Sequence, residues 1–195
     1  MLVVLRKRVW QVVLLLAVAL GGCQDRQAHD YYKLAWSYRK NKDYAKALQY
    51  LQKAAEMGDA WAYYTLGGTY KYGDGVEKDY AKALQYLQKA AEMGVSDAYN
   101  ELGDMYRDGD GVEKDYAKAL QYYQKATEWW DPKGYYNLGV MYEKGEGVAK
   151  DYSKALQYYK SAAERTLGMS SSMGIGSFED KYGNCRLLWC DIDVR

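Results

Sequence analysis

Histidine, phenylalanine and proline are almost missing from this chain: its 195 residues include one of each, and cysteine occurs three times. The only histidine, His29, leaves a Ser-His-Asp or Cys-His arrangement with one candidate base and nothing to orient it. The same shortage withholds the ligands of a zinc site. Neither charge dominates: 27 Lys and Arg stand against 26 Asp and Glu, and a net charge of +1 gives no global footprint for nucleic acid. No apolar run reaches the roughly 20 residues a bilayer-spanning helix needs. The longest, Val9–Leu20, is short and interrupted by Gln11.

What the chain has instead is repetition. The words of Asp79–Gly94 (DYAKALQYLQKAAEMG) recur at Asp43–Gly58, at Asp115–Thr127 and, loosened, at Asp151–Glu164, so that Tyr44, Tyr80, Tyr116 and Tyr152 are each 36 residues apart. A period in this range predicts a solenoid, in which every unit buries its apolar face against its neighbours. Within Asp79–Gly94 the residues Tyr80, Ala83, Leu84, Leu87, Ala90 and Ala91 share one helical face, and Lys82, Gln85, Gln88, Lys89 and Glu92 take the other. This predicts an amphipathic B helix, stopped at Gly94, as at Gly58, by a residue able to enter the left-handed region. Upstream of each B helix, Ala60–Tyr72, Ser96–Arg107 and Pro132–Lys144 read as A helices, the last begun by Asp131 as cap and Pro132 in its first turn. Glycine inside a helix loses about 1 kcal/mol against alanine. The return of Gly67, Gly103 and Gly139 therefore predicts close approach of helix A to helix B. Paired glycines (Gly73 and Gly75, Gly109 and Gly111, Gly145 and Gly147) predict a tight A-to-B turn. Asp108-Gly-Asp110-Gly lacks the ligand spacing of a calcium loop and recurs as turn chemistry.

These words, LG-x-x-Y, then G-x-GV-x-x-DY, then KA-x-x-Y and KAAE, resemble the Sel1-like repeat family, a relative of the tetratricopeptide repeat, from about Asp30 to Glu164. The resemblance implies an all-α fold: a right-handed α/α solenoid of four helical hairpins, divided here as 30–58, 59–94, 95–130 and 131–166. The first unit departs from the pattern. Its Leu34-to-Asp43 spacing is four residues shorter than Leu66-to-Asp79, and Arg39-Lys-Asn-Lys42 stands in place of the glycine turn. It looks more like a tetratricopeptide hairpin, suited to capping the stack. Composition agrees with one elongated domain, and 23 tyrosines fit packing positions with a buried ring and a hydroxyl that reaches water or a partner.

Residues 1–22 have the form of a secretory signal: Arg6-Lys7-Arg8, a short apolar run, then small residues. Leu20-Gly21-Gly22-Cys23 resembles a bacterial lipobox, which implies lipidation at Cys23 and a tether over 23–29; the alternative is an ordinary signal with a chance cysteine. Gln24 beside it implies the outer membrane, facing the periplasm, with a periplasmic or secreted protein as the alternative. Residues 167–195 break the register. They read either as a degenerate C-terminal cap or as a frameshifted or truncated end, with Cys185 and Cys190 placed for at most a local staple.

The resemblance further implies a protein-interaction scaffold that uses no cofactor and takes a protein or peptide in a concave groove lined by A helices. The positions carried over for that groove are Tyr32, Trp36, Arg39, Trp61, Tyr64, Asn100, Asp104, Arg107 and Tyr136. Tryptophan, tyrosine and arginine are the residue types that dominate binding hot spots. The competing expectation for Trp36 and Trp61 is packing between adjacent A helices. Two alternatives remain: a structural envelope component, or a weak β-lactam-binding enzyme. For the enzyme there is the word Ser37-Tyr-Arg-Lys40 without its companion words, and the paired cysteines of the cysteine-rich members described as acting on β-lactams are absent.

Overall fold

Eight helices follow the 36-residue period in the computed structural model, which describes residues 25–170, with side chains as far as residue 167. They are α1 (25–40), α2 (Tyr44–Glu56), α3 (Ala60–Tyr72), α4 (Tyr80–Glu92), α5 (Ser96–Asp108), α6 (Tyr116–Glu128), α7 (Pro132–Lys144) and α8 (Tyr152–Ser170). Among the described residues there is no strand. The odd-numbered helices are the predicted A segments and the even-numbered ones the B segments. The expected signal segment, Cys23 and everything after Ser170, including Cys185 and Cys190, lie outside the described residues.

Each B helix starts where an aspartate can satisfy a backbone donor that has no partner within the helix. Asp43, Asp79, Asp115 and Asp151 accept from the N–H three residues on, at 3.2, 3.0, 2.9 and 3.0 Å. At the other end of α4, Gly94 adopts φ 87° and donates to the Ala91 carbonyl, while Val95 donates to Ala90. This is the Schellman stop, and Val95 is buried behind it. α2 ends the same way at Gly58. α6 uses the same two bonds with Trp130 in the glycine's place, at φ 60°.

The helices pack as two compact units, one ending at Ala98 and one beginning at Tyr99. In the first, α3 lies against α4, and a Cβ on Gly67 would stand 2.6 Å from Leu87 Cγ. In the second, α7 lies against α6 and α8; Gly103 meets Tyr123 and Gly139 meets Tyr159 in the same manner. The A-to-B approach predicted from these glycines is therefore present in all three hairpins that carry one. Leu66, Leu87, Leu102, Leu138, Met105, Met141 and Tyr123 are fully buried, each aliphatic side chain contributing about 1.5–3 kcal/mol. The glycine turns join neighbouring repeats as well: Gly75, at φ 76°, sits on the side chain of Tyr44, and Gly147 sits on Tyr116.

Three local features differ from the sequence reading. Residues 25–29, assigned to a tether, are already helical in α1, and Ala28 is buried. The α1–α2 turn closes without glycine by placing Lys42 at φ 60°, with Lys42 N–H donating to Arg39 and Asp43 N–H to Tyr38. α8 runs past Glu164 to Ser170 because Thr166 occupies the register of Gly58 and Gly94 and gives the helix no stop.

Candidate functional site

In the first unit the aromatic A positions form two preset groups. On α1 the His29 and Tyr32 rings stack at 6.0 Å, Tyr32 meets Trp36 edge-on at 6.4 Å, and the Arg39 guanidinium lies 5.4 Å over the Trp36 ring. Helical spacing of three and four residues brings these side chains onto one stripe. Arg39 is also tied to Asp74 in the next glycine turn by a short ion pair. On α3, Trp61 and Tyr64 meet edge-to-face at 5.8 Å. Trp36 is 49% exposed and Trp61 46%, so neither is consumed by packing between A helices. Trp36, Ser37, Arg39 and Lys40 border an open cavity of about 530 Å³.

The carried-over positions of the second unit behave otherwise. Asn100, expected on the exposed face, is 5% exposed, and its Nδ2 donates at 2.9 Å to Asp131 Oδ2. Asp131 Oδ1 meanwhile accepts from the Lys133 N–H at the start of α7. The register predicted a surface residue because Tyr64 and Tyr136 occupy the equivalent place; an amide is short enough to fold back onto the cap. In the first unit Lys71, on α3, is buried to 6% exposure with its ammonium against the Tyr72 ring. Asp104 and Arg107 are half-buried and engaged internally: Arg107 reaches Asp104 Oδ1 at 3.3 Å and Asp108 Oδ1 at 3.1 Å, and the Tyr123 hydroxyl donates to Asp104 at 2.7 Å. Burial opposes the Arg107 charge, but Tyr123, Asp108 and Asp104 outweigh it and raise its pKa. Burial, then the Asp104 charge, pushes the Tyr123 phenol up, so it stays a donor. Tyr136 is half-buried against Tyr159 at 5.4 Å, whose hydroxyl donates to Glu143 at 2.6 Å.

Comparison with known proteins agrees with the hairpin register. A Sel1 repeat model matches residues 62–95, 96–128 and 132–167, together more than half of the chain. The chain belongs to the Sel1 repeat family. A tetratricopeptide repeat model matches residues 31–56, the unit whose turn is shortened. Among solved structures, a protective antigen present in uropathogenic Escherichia coli strains, displaying an SLR fold, is 35% identical with a TM-score of 0.68, over 77% of this chain and 34% of its own. A Sel1 repeat protein from Oxalobacter formigenes is 32% identical, TM-score 0.66, over 76% of this chain and 65% of its own. Helicobacter pylori cysteine rich protein B is 31% identical, TM-score 0.50, over 67% and 94%. The chain thus spans about a third of the antigen's length and just under two thirds of the Oxalobacter protein's. A search of curated proteins finds no match. The fold is an all-α repeat solenoid.

Every Sel1 repeat, and the tetratricopeptide unit before them, carries a further arrangement that the sequence reading passed over. A tyrosine in the last turn of the A helix stacks on one in the middle of the B helix: Tyr38 on Tyr50, Tyr70 on Tyr86, Tyr106 on Tyr122 and Tyr142 on Tyr158, at 5.3 to 5.6 Å. A lysine then covers the A-helix ring: Lys46, Lys82, Lys118 and Lys154, at 5.1 to 5.2 Å. Each of these lysines is also bridged to its capping aspartate in the first three cases. The Tyr86 and Tyr158 phenols are raised by burial first and by the neighbouring tyrosine second. Lysines read as solvated B-face residues are thus partly spent on aromatic faces. The spacing of Tyr50, Tyr86, Tyr122 and Tyr158, each four residues after one of these lysines, was the signal.

Proposed function

We propose that the protein is an interaction scaffold of the bacterial cell envelope, anchored by lipid at Cys23, that takes a protein or peptide partner on the A-helix stripe of its first unit. Sel1 and tetratricopeptide repeats generally mediate protein–protein interaction, which makes a binding role the coarse expectation for this chain. The observation that carries the finer reading is the pair Trp36 and Trp61. Both are half exposed, and both are held edge-on by a tyrosine of their own helix. A large apolar surface whose rotamer is already restricted loses little entropy on binding, which is the physical basis of an anchor. Asn100 leaves the set of direct contacts. Asp104 and Arg107, committed to Tyr123 and to each other, serve the surface as a fixed pair of charges.

The test is capture of the native partner from envelope extract by variants of the full chain. A true anchor costs at least about 2 kcal/mol when truncated, or roughly thirtyfold in affinity. Trp36→Ala and Trp61→Ala should each weaken capture by that much while leaving the thermal midpoint nearly unchanged, and Gln85→Ala on the B face should be silent. Loss with Gln85→Ala and none with the tryptophans would place the interaction elsewhere. Membrane anchoring is checked separately by Cys23→Ser, which should abolish acyl labelling.

A further inference from the structure

Because the repeats are internal controls for one another, a place where departures from two consecutive repeats meet stands out. In the first three repeats a lysine three residues before the last residue of the B helix lies over an A-helix tyrosine: Lys53 over Tyr31, Lys89 over Tyr63, Lys125 over Tyr99. In the fourth repeat that position is Ser161. Arg165, one turn later, takes over the ring of Tyr135 at 3.9 Å, and its Nη1 donates to the Ser161 carbonyl at 3.1 Å. The second departure is Trp130, in the register of Gly58 and Gly94, which holds a left-handed backbone that a tryptophan adopts only at a cost. Its ring lies 4.8 Å from the same guanidinium, on which both departures converge.

The result is an arginine flanked by two aromatic faces, a fixed planar cation. Its Nε is buried without an acceptor, and no carboxylate among the described residues pairs with it. A guanidinium oriented this firmly and left without a counter-charge is what carboxylate recognition requires. Beside it the Trp130 ring is 68% exposed, an open apolar face next to the cation.

We propose that Arg165, with Trp130 and Tyr135, forms a second recognition site, for an aspartate or glutamate side chain next to a bulky apolar residue in a partner peptide. It lies in the second unit and does not depend on the A-helix stripe of the first. The charge selects the acid, and the exposed Trp130 indole holds the neighbouring side chain.

The test selects random dodecapeptides displayed on phage against the full chain, then measures a selected peptide by calorimetry. Peptides with Asp or Glu adjacent to Trp, Phe or Leu should enrich. Their affinity should fall at least tenfold when the acid is changed to its amide, and equally on Arg165→Gln or Trp130→Ala, with unchanged far-UV circular dichroism and unfolding midpoint showing that both variants remain folded. Arg165→Lys should not restore it, because an ammonium lacks the planar fork. Enrichment of acid-free peptides alone, no enrichment, or affinity indifferent to Arg165→Gln would overturn the proposal. Affinity lost on Trp36→Ala but kept on Arg165→Gln would assign the peptide to the A-helix stripe and overturn it too. If acidic peptides bind only when Asp191→Asn and Asp193→Asn are introduced together, the occupant is the chain's own acidic end, and the partner reading fails.

Discussion

Gly67 and Gly68 are adjacent in α3, yet alanine should stabilise the chain at Gly68 and not at Gly67. At Gly68 an added Cβ meets nothing within 4 Å, so only helix propensity and the loss of unfolded-chain freedom act, a gain of up to about 1 kcal/mol. At Gly67 the same atom would lie 2.6 and 2.7 Å from the end of the fully buried Leu87 side chain and 3.3 Å from its backbone nitrogen. Overpacking of this kind costs about 1–3 kcal/mol, which cancels the propensity gain or exceeds it. The two variants should therefore differ by about 1–3 kcal/mol, the steric cost itself, and by several degrees in midpoint. Denaturant unfolding of both in the same full chain reads this difference at matched slope. The cause is isolated by Leu87→Ala, which alone costs about 2–5 kcal/mol. In that background Gly67→Ala should become neutral or favourable, a coupling of about 1–3 kcal/mol in the cycle. If Gly67→Ala stabilises as Gly68→Ala does, or stays harmful without Leu87, close A-to-B approach is not the reason for glycine there.

Further expectations follow from single contacts. Lys42→Gly should stabilise the chain by up to about 1 kcal/mol, since a side chain at φ 60° is strained and the offsetting unfolded-state entropy is smaller; an unchanged unfolding midpoint would show that the turn carries no strain. Tyr123→Phe should cost about 1.5 kcal/mol, the low end for a hydrogen bond to a charged group, because Asp104 keeps Arg107 as partner, and Tyr159→Phe, whose bond to Glu143 is exposed, should cost less. The Lys82 N–H and side chain hold the Asp79 carboxyl below its ordinary value, and Asp79 holds Lys82 above its own. The Asp79 contribution is thus present above the ordinary carboxylate pKa and lost as pH falls through the lowered one; that of Lys82 is present below its ordinary value and lost as pH rises through the raised one. Asp79→Asn keeps the cap, so its stability should match the parent more closely at pH 2 than at pH 7; a constant difference across that range would remove the electrostatic part of the argument.

The period alone carried the helices, their stops and the reason for the mid-helix glycines, because each is a backbone requirement that recurs with the register. Positions whose side chain changes between repeats were read less well. Asn100 was placed by analogy with Tyr64 and Tyr136, but a shorter polar side chain finds Asp131 instead of solvent. The tyrosine stacks were legible as spacing, yet the lysines over them were assigned to water, since hydrophobic patterning counts an ammonium as polar and ignores its attraction to a ring. Trp130 and Arg165 escaped notice because they break the pattern, and a reading built on recurrence discounts what does not recur.

The stretches Asp43–Gly58 and Asp79–Gly94 are identical over their whole length, and the turn that follows each brings a glycine pair in the same order: Gly73 and Gly75 after the first, Gly109 and Gly111 after the second. Gly75 rests on Tyr44, the first residue of α2, and Gly147 on Tyr116, the first residue of α6, so within each compact unit the join between one hairpin and the next is written at the same two points of the period. Because the two stretches are the same, removing or adding one whole period between them would leave the residues on either side of the seam unaltered. Such a chain would differ from this one in length while keeping its joins intact, so the fold is open to inheritance of repeat number as a variable trait, separately from the substitutions that set what any one repeat recognises.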